Sequence, residues 1–181
     1  MTEGPIARWS RARQRQRAAQ DEEFTEFVAA TAHGLRRTAF LLCGDWHLAQ
    51  DLTQTALTRM YASWGRVRRS DNLNAYSRRV LMNALFDQRK RRSSGEVVVA
   101  ELPESAVRPP QPAAEVHVTL MRALATLSLR DQAIVVLRYW EDQSVETVAE
   151  ILDVSASVVK TRSARALTRL RALLGEEFVG T

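Results

Sequence analysis

The 181-residue chain is poor in the residues that interrupt or cross-link a polypeptide, with seven glycines, five prolines and one cysteine. So few glycines and prolines argue against a loop-rich all-β architecture, which needs turn residues every few positions. A single cysteine excludes an internal disulfide framework and fits a reducing compartment. No stretch approaches the roughly 18 consecutive apolar residues of a membrane span, and the N-terminus lacks the apolar core of a secretory signal. These absences predict a soluble, cytoplasmic, all-α protein without a membrane contact of its own.

The sequence also offers little chemistry for a catalyst. Cys43 and His47 are four residues apart and could share a helix face, but two ligands do not make a metal site, and His33 and His117 show no ligand spacing. Gly-rich phosphate loops and Ser/His/Asp or Cys/His arrangements are missing as well. We therefore expect no metal, no cofactor and no enzymatic activity, and we interpret Cys43 as a packed residue.

Positive charge is what the sequence has in excess. The net charge of +5 and the isoelectric point near 10.1 favour an anionic partner. Residues 66–92 hold nine basic residues against two acidic ones, and residues 155–174 hold five basic residues and no acidic one. Between them, residues 93–154 carry four basic and ten acidic residues. The chain therefore has two basic segments separated by an acidic one.

Periodicity and composition divide the chain into two small helical domains with an arm, a linker and a tail. Residues 1–22 are a basic arm with five arginines and almost no apolar residues, expected to be disordered or a frayed helix; the alternatives of a solvated tail and a nucleic-acid contact stay open. Residues 23–92 show apolar stripes for three helices, near 24–42, 46–64 and 74–92. Residues 93–114, with four prolines, form a flexible linker.

The second domain, residues 115–174, is followed by a tail at 175–181 and has helices near 115–126, 129–140, 144–152 and 156–173. Ser128, Ser144 and Ser155 are the expected N-caps of the last three helices. The last two, joined by a three-residue turn, form a helix-turn-helix, and the second presents Lys160 and Arg162 outward. A cationic second helix is what insertion into a major groove needs. A generic helical hairpin is the alternative.

Two further helix faces are candidates for binding. On the third helix, Arg79, Asn83 and Asp87 share a polar row with Tyr76 nearby, a combination that suits an unstacked base; a solvated face with Tyr76 in the core is an equal alternative. On the second helix, Asp51 and Gln54 form a polar face that suits a protein partner or is simply exposed.

In order and spacing, these motifs resemble the extracytoplasmic-function group of sigma-70 family bacterial RNA polymerase sigma factors. Ala49-Gln50-Asp51-Leu52-Thr53-Gln54 resembles the family's Asp-Leu-x-Gln motif, and Ala75–Asn83 with Asp87 and Arg91 resembles its −10 segment. Leu127–Gln132 and Leu137-Arg138-Tyr139 resemble the helices before its −35-reading helix, which Val159-Lys160-Thr161-Arg162 and Arg165-Ala166-Leu167 resemble. Asp153 stands where the family usually has the glycine of the turn, and Thr55 where it often has an acid.

The resemblance implies three sets of site residues. Polymerase binding falls to Asp51, Leu52 and Gln54. Contact with the −10 element falls to Tyr76, Arg78, Arg79, Asn83, Asp87, Arg89, Lys90, Arg91 and Arg92. Contact with the −35 element falls to Ser155, Ser157, Val158, Lys160, Thr161, Arg162 and Arg165. The implied partners are core RNA polymerase, promoter DNA and an anti-sigma factor. A stand-alone helix-turn-helix regulator is the alternative, and it would need a ligand-sensing or dimerising first domain.

Overall fold

The computed structural model of the protein describes residues 5–94 and 112–175, with side chains for 11–93 and 118–175. All regular structure in these ranges is helical, which confirms the all-α prediction. No helix among the described residues is long and apolar enough to cross a membrane. The helices are α1 (Pro5–Cys43), α2 (Trp46–Ala62), α3 (Trp64–Val67), α4 (Leu73–Ser94), α5 (Pro112–Ala125), α6 (Leu129–Val135), α7 (Val145–Leu152) and α8 (Ala156–Leu174), and a π-helical turn (Val136–Trp140) continues α6.

The arm expected at residues 1–22 is not separate from the first domain. From Pro5 onward it is the first part of α1, which continues without a break to Cys43. Its alanines, arginines and glutamines are all strong helix formers, so the segment extends a helix that is anchored further along by packing. Of the two predicted alternatives, disorder and a helix, residues 5–22 therefore adopt the helix.

The break between α1 and α2 follows from local chemistry. Gly44 has a φ of +71°, a conformation that costs glycine nothing and ends α1. The Asp45 side chain then accepts a hydrogen bond from the backbone N–H of Leu48 at 2.9 Å, which caps α2. The two helices pack antiparallel because the connection between them is so short.

All three serine N-caps predicted in the second domain are confirmed. Ser128, Ser144 and Ser155 each accept a hydrogen bond from the backbone N–H three residues on. Asp153 ends α7 in a left-handed conformation with a φ of +54°, at the position where a glycine would be unstrained. The helix predicted at 129–140 is present, but its last five residues form the π-helical turn.

The two halves of the chain pack against each other around one apolar cluster. Leu41 and Leu85 from the first half and Ile134, Leu137 and Val148 from the second all belong to it, each 5% exposed or less. The Gln132 side-chain amide also donates a hydrogen bond to the carbonyl oxygen of Leu41 at 3.1 Å. Most of the predicted linker, and the short valine run at 97–99, lie outside the described residues.

Candidate functional site

Helix α8 presents a polar and cationic face to solvent. Val159, which is fully buried, fixes the rotation of the helix, so that the residues on the other side point outward. The exposed members of the set predicted for −35 DNA are Ser155, Ser157, Val158, Lys160, Thr161 and Arg165. The structure therefore leaves the first two turns of α8 accessible, which is the part of a recognition helix that meets base edges.

Arg162 differs from the other members of that set because it already has a partner. Its guanidinium lies 2.9 Å from the carboxylate of Asp131, at the start of α6, and its side chain is 41% exposed. Asp131 in turn accepts a hydrogen bond from the Ser128 hydroxyl at 2.6 Å. Arg162 thus ties α8 to the N-terminus of α6 and holds the orientation of the recognition helix.

The polar row predicted on α4 is present. Arg79, Asn83 and Asp87 are all exposed on one face. Asp87 lies 3.1 Å from the guanidinium of Arg59 on α2, in an ion pair whose side chains are about half exposed. Tyr76 is half-buried and packs with the aromatic residues around Trp64, so part of its ring is used in packing. The row leads into Arg89, Lys90, Arg91 and Arg92, which are exposed near the C-terminus of α4.

Arg78 lies on a different side of α4 from that row and contacts the second half of the chain. Its guanidinium donates hydrogen bonds to the carboxylate of Glu141, and the two side chains are 17% and 11% exposed. The buried hydroxyl of Thr38 on α1 donates to the same carboxylate. Glu141 follows directly on the π-helical turn, whose geometry brings its side chain across to α4. Arg78 thus connects the predicted −10 surface to the second half of the chain.

The face predicted for polymerase binding is an open depression on α2. It has a volume of about 410 Å³ and is lined by Asp51, Gln54, Thr55, Thr58 and Arg59. Asp51 and Gln54 are exposed, so their carboxylate and amide groups are available to a partner.

Leu52 does not belong to that face. It is 2% exposed and lies in the apolar cluster between α1, α2 and α4. Helical spacing requires this, because residues 49, 52 and 56 share the inner stripe of α2 while 51, 54 and 58 point away. The prediction of Leu52 as a polymerase contact is corrected: it positions the helix that carries Asp51 and Gln54.

Several residues that the sequence did not single out hold these surfaces in place. Thr38, Glu141 and Gln132 connect the two halves, and no local pattern marks residues that pair at such sequence separations. Among residues 11–93 and 118–175, no three His, Cys, Asp or Glu side chains could hold a metal ion. Burial raises the pKa of the Cys43 thiol above its ordinary value, in line with its interpretation as a packed residue.

Two family models match the chain. Residues 27–95 match Sigma-70 region 2, and residues 123–172 match Sigma-70, region 4. The RNA polymerase sigma-E factor of Streptomyces coelicolor is 40% identical over 152 residues, which cover 82% of this chain and 84% of that protein. The sigma-E factor of Streptomyces avermitilis is 38% identical over 149 residues, covering 82% and 83%. ECF RNA polymerase sigma factor SigM of Mycobacterium tuberculosis is 29% identical over 142 residues, covering 78% and 71%.

Solved structures share the fold. The sigma factor RpoE from Bartonella quintana, in complex with the anti-sigma factor NepR, aligns with a TM-score of 0.68 at 22% identity, covering 86% of this chain and 98% of that one. CnrH, in complex with the cytosolic domain of CnrY, aligns with a TM-score of 0.66 at 19% identity, covering 85% and 88%. With both sigma regions matched in order and a relative 40% identical over 82% of this chain, the protein belongs to the extracytoplasmic-function group of the sigma-70 family of RNA polymerase sigma factors.

Proposed function

We propose that this sigma factor divides transcription initiation among three of its surfaces: the α2 face binds core RNA polymerase, α4 binds and opens the −10 element, and α8 reads the −35 element. The observation that carries this division is that α4 and α8, on the two different halves of the chain, each present an exposed cationic face. A regulator that reads a single operator would need only one of them.

At the −35 element, α8 enters the major groove by its N-terminal turns. Ser157 and Thr161 carry hydroxyls that donate to or accept from base edges, and the exposed side chain of Val158 suits the methyl group of thymine. Lys160 and Arg165 neutralise phosphates on either side of the groove. Ser155 and Arg162 support this surface, the first as the helix N-cap and the second through its ion pair with Asp131.

At the −10 element, the row of Arg79 and Asn83 faces a separated strand. An asparagine amide can bond the edge of an unstacked base, and the exposed part of the Tyr76 ring can stack on one. The basic C-terminal turns of α4, residues 89–92, neutralise the phosphates that follow. Asp87 contributes by holding Arg59, and Arg78 becomes available to DNA only when it leaves Glu141.

Asp51 and Gln54 supply the specific polar contacts to polymerase, because they are exposed at the mouth of a concave surface in which a partner helix can lie. The domain bounds that serve these roles are residues 23–92 and 115–174, with the arm at 1–22, the linker at 93–114 and the tail at 175–181. The factor acts in the cytoplasm and has no catalytic activity of its own. An anti-sigma factor is a further partner, as NepR is for RpoE in its solved complex.

The test is transcription in vitro with core polymerase and a pool of genomic fragments. The full chain is expected to direct synthesis of transcripts whose 5′ ends map downstream of a shared pair of sequence elements. If the chain binds fragments without core polymerase and stimulates no transcription with it, the proposed function is wrong and a stand-alone regulator is the better description.

Matched variants separate the polymerase-binding face of α2 from the −35 face of α8. Asp51→Ala should weaken binding to core polymerase while binding of the −35 element by the second domain is unchanged. Lys160→Ala should leave polymerase binding unchanged and weaken promoter binding about equally for all sequences, because it removes a phosphate contact. Thr58→Ala, in the same depression as Asp51, serves as the control for local packing on α2.

A further inference from the structure

The first part of α1 is exposed to solvent. Side chains 11–19 are all exposed, and Gln20 is the first that is partly covered. At 1.5 Å per residue, residues 11–19 form about 13 Å of exposed helix. A helix of this length is marginally stable in water without packing. The amino acids of this segment therefore indicate what kind of partner it can bind.

That sequence is unusually restricted. Residues 11–20 consist of four arginines, three alanines and three glutamines, and no acidic residue occurs between Pro5 and Gln20. Arginines four apart repel each other on a helix surface, and positive charge near a helix N-terminus opposes the helix dipole. Both costs are relieved when an anion lies alongside the helix. With no apolar side chain larger than alanine in residues 11–20, there is nothing there for a lipid or a hydrophobic groove to bind.

The arginines fall into two stripes on opposite sides of the helix. Residues two apart are separated by about 200° around the axis, so Arg13 and Arg17 share one side and Arg11 and Arg15 the other. The stripe of Arg13 and Arg17 continues to Gln20, which closes the last turn before the helix meets the body.

Contacts show where the Arg13–Arg17 stripe leads. The Gln20 side-chain oxygen lies 3.9 Å from the place where a Cβ would stand on Gly65. On the same side, the Tyr61 hydroxyl donates a hydrogen bond to Asp21 at 2.7 Å, which raises the pKa of Tyr61, and the charge of Arg17 partly opposes that rise. The stripe therefore runs along the side of the molecule formed by the end of α2 and the start of α3.

The chain that follows Gly65 carries more arginines and leads into the −10 face. Arg66 and Arg69 are exposed in and after α3, while Arg68 between them is paired with Glu23 at 2.6 Å. Two exposed acids lie close by, Asp21, which accepts the hydrogen bond of the Tyr61 hydroxyl, and Asp71 in the turn after Arg69. Beyond this turn α4 begins, and Tyr76 packs in the same aromatic cluster as Phe24 and Trp64, next to the exposed Arg79. We call Arg13, Arg17, Arg66 and Arg69 the arm strip.

We infer that the arm strip binds the phosphate backbone of DNA and lengthens the −10 face in the direction of the α1 N-terminus. Contact with phosphates needs charge and reach but no base reading, which matches a strip whose four members are all arginines. The inference rests on the proposed function, because it takes the adjacent α4 face to be a DNA surface.

The salt dependence of binding counts these contacts. We propose fluorescence anisotropy with the full chain and two labelled probes, a 30-nucleotide single strand and a 30-base-pair duplex, between 50 and 400 mM salt. Each phosphate contact contributes about 0.7 (single strand) to 0.9 (duplex) to the slope of log K against log salt. The double variant Arg13→Gln, Arg17→Gln should lower that slope by about 1.4–1.8 and weaken binding about 25- to 60-fold at 0.1 M salt, if the two contacts act only through counterion release.

Arg11→Gln, Arg15→Gln is the matched control, because it makes the same change in charge and composition on the opposite side of the same helix segment. Its slope should change by less than about 0.5, the residual effect of net charge. Circular dichroism of both double variants should show equal helix content, so that a difference in binding reports the side of the helix. Arg66→Gln, Arg69→Gln should lower the slope as the first pair does.

If Arg13→Gln, Arg17→Gln and Arg11→Gln, Arg15→Gln changed the salt slope equally, the inference would be wrong and the effect would be one of overall charge. If neither double variant changed the slope, the inference would also be wrong. If Arg13→Gln, Arg17→Gln left DNA binding intact but weakened binding to core polymerase in gel filtration, the strip would face an acidic protein surface and the inference would be wrong. Failure of the wild-type chain to bind core polymerase would instead count against the proposed function, while the comparison of the two DNA slopes would still decide the role of the arm.

Discussion

The Glu141 carboxylate joins the two halves of the chain, and we expect Glu141→Ala to weaken their contact substantially. The carboxylate accepts hydrogen bonds from the Thr38 hydroxyl and the Arg78 guanidinium, and the ionic side chains are only 11% and 17% exposed. Removing one partner of a fully buried pair costs about 3–5 kcal/mol, and the remaining contact with solvent reduces the expected loss here to about 2–3 kcal/mol. Glu141→Gln keeps an acceptor of the same shape, so its cost should be about half as large.

The measurement is a double-mutant cycle in urea, with unfolding followed by far-ultraviolet circular dichroism. The cycle of Arg78→Ala and Glu141→Ala should give a coupling energy of about 2 kcal/mol. Arg59 and Asp87 form the matched control, because their side chains are 43% and 55% exposed, and exposed pairs contribute about 0.2–1 kcal/mol. If the two cycles gave the same coupling energy, the buried contact between the halves would not exist in solution and the reasoning would be refuted.

Three further outcomes follow from particular residues. Asp153→Gly should raise the free energy of unfolding by up to about 1 kcal/mol, because glycine adopts the left-handed conformation at the end of α7 without strain; a loss would show that the aspartate side chain stabilises the turn. Arg162→Ala should lower both thermal stability and −35 binding, since it breaks the ion pair with Asp131, whereas Lys160→Ala should leave the melting temperature unchanged and lower the salt slope by about one. Burial raises the pKa of the Cys43 thiol in the folded state, so the contribution of this thiol to the free energy of unfolding is complete below the pKa of the unfolded thiol, near 9.0, and is lost as pH rises through the higher folded value. Cys43→Ala should therefore remove this part of the alkaline loss of stability, measured by urea unfolding at a series of pH values. The same alkaline loss in the variant and the wild type would contradict the prediction.

Most of the helices could be predicted from sequence because their signals are local. Apolar spacing identifies the inner stripe of each helix. A serine directly before such a stripe identifies the start of the helix, because its side chain can cap the N-terminus, and all three predicted serine caps are present. The spacing of Arg79, Asn83 and Asp87 placed them on one exposed face for the same reason. The three-residue spacing between the last two helices predicts the turn before α8, even with Asp153 in place of glycine.

The features that the sequence does not predict depend on contacts between residues far apart in the chain. Arg162 was predicted to face outward, but its partner Asp131 lies 31 residues away, and nothing local indicates that pairing. Leu52 was assigned by family motif, although helical spacing alone would have placed it inside with Ala56. The packing of the two halves was missed because the π-helical turn that brings Glu141 to Arg78 leaves no periodic signal, and the linker composition suggests separation rather than contact.

Arg78 carries a consequence for how tightly promoter DNA is held. The Arg78 guanidinium cannot bind the Glu141 carboxylate and a phosphate at the same time. Under the proposed function, the affinity of α4 for DNA therefore depends on the free energy that Arg78 contributes to DNA binding minus the free energy lost when the two halves separate. If that loss is about 2 kcal/mol, any partner that has already separated the halves raises the affinity for −10 DNA by about 30-fold without touching the DNA. Under the proposed function, the same reciprocity makes a bound promoter raise the affinity for that partner about 30-fold.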